Sequence, residues 1–230
     1  MSFKDKVVVV TGGSRGFGRA MASMFVQSGA KVTITSANEA ELKTTAEAIG
    51  ADYIVADAGS FDDQKMVAEK VLANFNRIDV WVNNAGVQIA PSNIEEVDIA
   101  KLRKLFDINF FGYYYGSMIA LKIMKKQASG MIVNINSTAG LSGKPGLSAY
   151  VSSKFAIKGM SESIREEIKG TDVSLYQIFP GGMKTDIYHE MVPVDIDEYM
   201  DVDYAITKVM ENFLSIAPEI DLIIKRPKIL

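Results

Sequence analysis

The sequence predicts an α/β fold: a doubly wound parallel β-sheet with helices on both faces. Three observations carry this. Short Val- and Ile-rich runs alternate with helix-length amphipathic segments along the chain, the first run is continuously apolar, and a glycine-rich turn follows it. Strands that alternate with helices build βαβ units, whose parallel sheet is covered on both sides.

The elements follow in order. Residues 7–10 are four consecutive valines, and an unbroken apolar run suits a central strand buried on both faces. Residues 19–27 place apolar side chains at three- and four-residue spacing, which predicts the first helix. Strands are expected at 31–35 and 53–55, each followed by a helix, at 39–49 and 62–74. A fourth strand at 80–82 leads to one long helix at 99–126, a fifth at 131–135 to a helix at 150–169, and a sixth covers 173–179. Gly, Asn, Asp or Ser bounds each strand. With no linker, repeat or low-complexity tract, residues 1–230 are expected to form a single domain.

Composition narrows the chemistry. Lys+Arg number 25 and Asp+Glu 28, a net charge of −3, which removes the main electrostatic argument for a nucleic-acid or anionic-membrane surface. There is no cysteine, hence no disulfide scaffold, thiolate ligand or Cys nucleophile. The single histidine, His189, leaves one candidate for a Ser-His-Asp triad and none for a multi-His metal site. No metal is expected. No basic segment followed by an apolar stretch opens the chain, and no apolar run approaches the roughly 18–20 residues of a membrane span. A cytoplasmic location is expected.

After the first strand comes Thr11-Gly12-Gly13-Ser14-Arg15-Gly16-Phe17-Gly18, then an apolar helix. Glycines at 12, 16 and 18 would let a pyrophosphate approach backbone N–H groups at a helix N-terminus, where the dipole favours an anion. No Gly-Lys-Ser/Thr follows, so the turn is not of the phosphoryl-transfer type.

Four further motifs follow: Asn83-Asn84-Ala85-Gly86, Asn109 in the long helix, Ser137 after the fifth strand, and Tyr150-Val151-Ser152-Ser153-Lys154. Pro180-Gly181-Gly182-Met183-Lys184-Thr185 closes the set. In this order the motifs resemble the short-chain dehydrogenase/reductase family over about residues 5 to 225. The resemblance implies a Rossmann-like fold and an NAD(P)-dependent oxidoreductase, reducing a ketone or aldehyde to an alcohol or the reverse.

Tyr150 and Lys154 are one helical turn apart and share a face. A free phenol has a pKa near 10, and a nearby ammonium would favour its ionised form. By resemblance, Tyr150 is the general acid/base and Ser137 donates a hydrogen bond to the substrate oxygen. Lys154 binds the nicotinamide ribose while lowering the tyrosine pKa, and Asn109 anchors a water that links Lys154 to solvent. Its plainer role is a helix-kinking polar residue bonded to backbone.

Cofactor contacts are implied at Gly12, Ser14, Arg15, Gly16, Phe17 and Gly18, then at Ser36, Asp57, Ala58, Asn83, Ala85 and Gly86. Tyr150, Lys154, Pro180, Gly181 and Thr185 complete the set. Asp57 would meet the adenine amino group, or form only an Asx turn. Asn83 would bridge strands beside the cofactor, and Thr185 would reach the carboxamide. Ser36 stands where NAD-preferring members carry an acid, and Arg15 matches a basic position common among NADP-preferring ones. NADP is therefore expected over NAD.

Residues 186–203 correspond to a lid over the substrate, with His189 read as a solvent-facing loop residue. Val87, Gln88, Ile89 and residues 141–144 are expected at the pocket wall. The tail at 222–227 lacks the glycine-rich ending of ketoacyl-carrier-protein reductases. Phe110, Phe111, Tyr113, Tyr114 and Tyr115 are expected in core or subunit-interface packing, and Gly112 and Gly116 at a close helix or backbone approach. A homotetramer or homodimer is implied. The alternative is a non-catalytic dinucleotide-binding sensor, which has no need of Ser137, Tyr150 and Lys154 together. The longer epimerase or dehydratase type expects a different glycine spacing and a larger C-terminal region.

Overall fold

The computed structural model describes residues 2–188 and 191–227. Its strands are β1 (Val7–Thr11), β2 (Lys31–Ser36), β3 (Asp52–Val55), β4 (Val80–Asn83), β5 (Gly130–Ile135), β6 (Val173–Pro180) and β7 (Asp221–Ile224). All pair in parallel, in the order β3-β2-β1-β4-β5-β6-β7. The helices are α1 (Gly16–Gln27), α2 (Glu39–Ile49), α3 (Phe61–Phe75), α4 (Ile99–Phe106), α5 (Gly112–Gln127), α6 (Ser148–Glu167) and α7 (Val202–Leu214).

The period of two explains the valine run. Val8 and Val10 face Phe17, Met21 and Phe25 of α1, Leu42 of α2 and Phe213 of α7. Val7 and Val9 face the opposite layer, with Val67 and Val71 of α3 and Ala120 and Met124 of α5. Both layers exclude water, so no position of β1 tolerates a polar side chain that lacks a partner. Because β1 is followed by β2 on one side and flanked by β4 on the other, the strand order reverses there. The loops at the carboxyl ends of β1 and β4 diverge and leave a crevice.

Three features depart from the expected elements. The long helix at 99–126 is divided by a π-helical turn, Asp107–Phe111. Asn109, fully buried within it, accepts from Val87 N at 2.8 Å and donates to Val87 O at 2.9 Å. Satisfying a neighbouring loop draws that residue out of the regular ladder, a familiar setting for a π-bulge. The helix beginning at residue 150 instead starts at Ser148, and α1 starts at Gly16 instead of Arg19. Finally, β7 extends the sheet, where the sequence predicts only a tail at 222–227. Tertiary groups hold it: Arg165 pairs with Asp221 at 2.8 and 3.0 Å, and Gln177 Nε2 donates to the same carboxylate at 3.0 Å.

Gly112 and Gly116 do mark close approach. A Cβ at Gly112 would lie 2.7 Å from Ala58 O, and one at Gly116 would lie 2.6 Å from the Trp81 indole nitrogen. No helix among the described residues is long and apolar enough to cross a membrane.

Candidate active site

The crevice has a volume of about 710 Å³ and collects the carboxyl ends of β1 to β6. Gly12, Ser14, Arg15, Gly16, Phe17 and Gly18 border it, as do Ser36, Asp57, Ala58, Ala85, Gly86, Pro180, Gly181 and Thr185. Ser137, Tyr150 and Lys154 complete the wall.

At its glycine-rich end, α1 begins without help. Arg15 makes no side-chain cap and the first turn holds no acidic residue, whereas Asn38, Ser60 and Asp98 cap α2, α3 and α4. The N–H groups of an uncapped first turn, with the helix dipole behind them, are suited to an anion. The glycines themselves answer to more than ligand approach. Gly12 is left-handed, with φ +63°, and a Cβ there would lie 2.7 Å from Ala85 Cα. A Cβ at Gly18 would collide with Gly12 O and the Asn84 side chain. These two seat the β1 loop against the β4 loop, while Gly16 faces Thr185 across the crevice.

At the other end, β5 delivers Ser137 and α6 delivers Tyr150 and Lys154. Ser137 caps the short turn Thr138–Gly140, its Oγ accepting from Ala139 N at 3.1 Å. Lys154, 4% exposed, donates to Ile135 O at 3.0 Å, and Tyr113 donates to the same carbonyl at 2.8 Å. The ammonium nitrogen lies 5.1 Å from the Tyr113 ring centre and 5.6 Å from that of Tyr150.

The electrostatics correct one expectation. Burial pushes the Tyr150 phenol up to about 12, opposed by a hydrogen bond with Ser137, and Lys154 does not bring it down. The reason is local: burial lowers Lys154 itself to about 7, so its own charge is poorly held at neutral pH. Tyr113 is likewise raised, by burial and by Tyr150.

Two expected site residues do not line the crevice, although one of them, Asn83, bridges strands as expected. Asn83 is 1% exposed and does not border the crevice. It accepts from Trp81 Nε1 at 2.9 Å and donates to Ser117 Oγ at 3.0 Å and Asn134 Oδ1 at 2.8 Å. It joins β4 to β5 and α5, and the crevice is met instead by its neighbour Asn84. Asn83→Ala is expected to lower unfolding stability by about 2–3 kcal/mol, since it orphans buried groups, with ligand affinity unchanged; denaturant unfolding beside a binding titration checks both. Asn109 lies behind the wall, bonded to Val87 and, at 3.4 Å, to Ser153 Oγ. Asp57 both borders the crevice and forms an Asx turn, its Oδ1 accepting from Gly59 N at 2.8 Å.

Other groups emerge only from the fold. Glu41 of α2 reaches the end of β2, where Ser14 Oγ donates to its Oε2 at 2.9 Å. The strand end expected to be free of carboxylate therefore has one, supplied by a helix. Arg226, beyond β7, stacks on Tyr199 at 4.0 Å and pairs with Asp195 at 3.4 Å, and both Tyr199 and Arg226 border the crevice. Tyr188 meets Tyr199 edge to face at 5.6 Å. The segment carrying these residues is closed at its base by the Met183–Met200 bridge, with Lys184 N donating to Met200 O at 3.0 Å. Val87 and Gln88 border the crevice as expected, and Lys144 does so from the 141–144 segment; His189 lies outside the described residues.

Comparison with known proteins settles the relationship. The family model for short chain dehydrogenases matches residues 6–194. The chain belongs to the short-chain dehydrogenase/reductase family of oxidoreductases. It is 36% identical over 190 residues to the uncharacterized oxidoreductase YxnA of Bacillus subtilis, covering 79% of this chain and 53% of that protein. The chain thus spans about half of the Bacillus protein's length. An uncharacterized oxidoreductase of Thermotoga maritima is 36% identical over 186 residues, covering 79% of this chain and 73% of its own. In fold, the short-chain dehydrogenase superposes with a TM-score of 0.90 on the 3-ketoacyl-(acyl-carrier-protein) reductase of Brucella melitensis complexed with NADH. That match is 23% identical and covers 100% of both chains.

Proposed function

We propose that this short-chain dehydrogenase interconverts a carbonyl compound and an alcohol with a nicotinamide dinucleotide, reduction with NADPH being the favoured direction and cofactor. The observation that carries this reading is convergence: Ser137, Tyr150 and Lys154 meet at one end of the crevice whose other end is an uncapped helix N-terminus. When bound, the nicotinamide would supply or accept the hydride. The chain's own groups do the rest. Ser137 Oγ donates to the substrate oxygen and fixes its position. Tyr150, held protonated by burial, gives that oxygen its proton in reduction and takes it back in oxidation. Lys154 keeps the phenol in place across its ring and offers donors toward the ribose. Asn109 acts from behind, holding Val87 at the wall.

NADPH is favoured because Arg15 is exposed at the corner beside Ser36 and forms no ion pair among the described residues. Glu41 opposes that preference. Ketones, aldehydes and diketones offered with NADPH or NADH, followed at the nicotinamide absorbance band, test the assignment. Turnover with a lower KM for NADPH is expected; a KM for NADH equal to or below it overturns the preference. Dinucleotide binding without turnover across the panel would favour the non-catalytic sensor.

The protein is proposed to assemble as a homotetramer. Phe111, Tyr114, Met118 and Phe155 remain between 41% and 48% exposed, an apolar surface on and beside α5 and α6. Light scattering is expected to give a mass near four chains, and a concentration-independent monomer would refute this. Residues 186–203 are proposed as the cover of the substrate end.

A further inference from the structure

Resting on the reading that the crevice holds a nicotinamide dinucleotide, we infer that Glu41 biases the site toward NAD, against the pull of Arg15 toward NADP. Ser137, Tyr150 and Lys154 stand on the β5 side of the switch point, which assigns the reactive ring to that side. The adenosine half then crosses to the carboxyl ends of β1 and β2. Glu41 borders the crevice at that corner.

Its carboxylate is held there by neighbours. Ser14 is 5% exposed, and its carbonyl accepts from Thr45 Oγ1 at 2.6 Å, which fixes the residue. Its hydroxyl donates to Glu41 Oε2 at 2.9 Å and stands 3.3 Å from Ser36 Oγ. An acid at the third position of a helix usually turns back to the N-cap N–H. Here Asn38 N already donates to Ser36 Oγ at 3.3 Å, while Asn38 Oδ1 accepts from Glu41 N at 3.3 Å. Glu41 is thereby released from capping its own helix and committed to the strand ends. Its Oε1 makes no hydrogen bond among the described residues.

A carboxylate in that place accepts from the hydroxyls of an unphosphorylated ribose and repels a phosphate on the same ring. It does from α2 what a strand-end acid does from β2. Arg15 carries the opposite sign at the same corner, so the two side chains bias the site in opposite directions and the wild-type preference is small.

Calorimetric titration of NAD and NADP into the wild type, Glu41→Gln and Glu39→Gln tests this without reference to turnover. Glutamine keeps an acceptor for Ser14 and removes only the charge. Glu39, exposed and outside the crevice wall, controls for net charge. Glu41→Gln is expected to shift the ratio of the two Kd values toward NADP by about tenfold, and Glu39→Gln by less than twofold. A ratio unchanged within twofold in Glu41→Gln, or an equal shift in Glu39→Gln, overturns the inference while leaving the proposed function intact. If the wild type binds neither dinucleotide, the functional reading itself falls and takes the inference with it.

Discussion

Tyr150→Phe is expected to lower kcat about 10³-fold, within the range for loss of a positioned acid–base group. The Kd for the dinucleotide should stay within about threefold. The two readouts separate for a structural reason. The glycine turn and the start of α1 lie across the crevice from Tyr150, so anion binding does not pass through the phenol. The ring remains in phenylalanine, so the stacking against Lys154 survives and the loss is confined to the hydroxyl and its bond with Ser137. Steady-state rates beside a calorimetric titration would settle it. Turnover at a tenth of the wild-type rate or above would remove Tyr150 from proton transfer.

Lys154→Met gives the second large effect, and its signature is a pH dependence of stability. The lysine pKa falls from 10.5 to about 7 on folding because burial disfavours the ammonium. Below pH 7 both folded and unfolded chains carry the proton, and the folded chain bears the whole desolvation cost, on the order of 5 kcal/mol. Between about pH 7 and 10.5 the unfolded chain keeps a proton that the folded chain has released. Stability from this group therefore rises with pH across that window, by about 1.4 kcal/mol per unit. Methionine removes the cost without orphaning the carbonyl below it, because Tyr113 still donates to Ile135 O. The variant is expected to be more stable than the wild type near pH 6, with the gap closing as pH rises to 10, while activity is lost. A gap that stays flat from pH 6 to 10 in denaturant unfolding would show that Lys154 keeps an ordinary pKa.

Much of this architecture is legible in the sequence. Four consecutive valines, a glycine turn and alternating segments suffice for the parallel sheet, because burial on both faces leaves a strong local signature. The Tyr150–Lys154 pairing was equally plain, since helical spacing alone puts both on one face. What escaped depends on groups far apart in sequence. The run Leu222-Ile223-Ile224 is no weaker than 80–82, yet no helical segment and turn frame it as a strand; Arg165 and Gln177, more than forty residues upstream, fix it through Asp221. Asn83 and Asn84 are indistinguishable as letters, and only the pleat decides that the first turns into the layer of α5 while the second meets the crevice. Glu41 carries no signal of its own within the helix expected at 39–49: its Asn38-x-x-Glu41 spacing suits a helix cap, and only the fold shows Ser36 occupying the amide it would serve. The depressed tyrosine failed for a different reason: spacing gives proximity, whereas ionisation depends on how much water surrounds both partners.

The Met183–Met200 bridge has a consequence for how such an enzyme can diversify. Beyond the end of β6 the chain pairs with itself through this short bridge, which lies outside the sheet, and the two methionines pin the ends of the segment between them like a clasp. With both ends pinned, a change of length in the middle of that segment is expected to leave β6 and the start of α7 where they are. The shape offered at that end of the crevice would then vary separately from the wall that carries Tyr150, and Arg226, which pairs with Asp195 and stacks on Tyr199, would register the change from beyond β7.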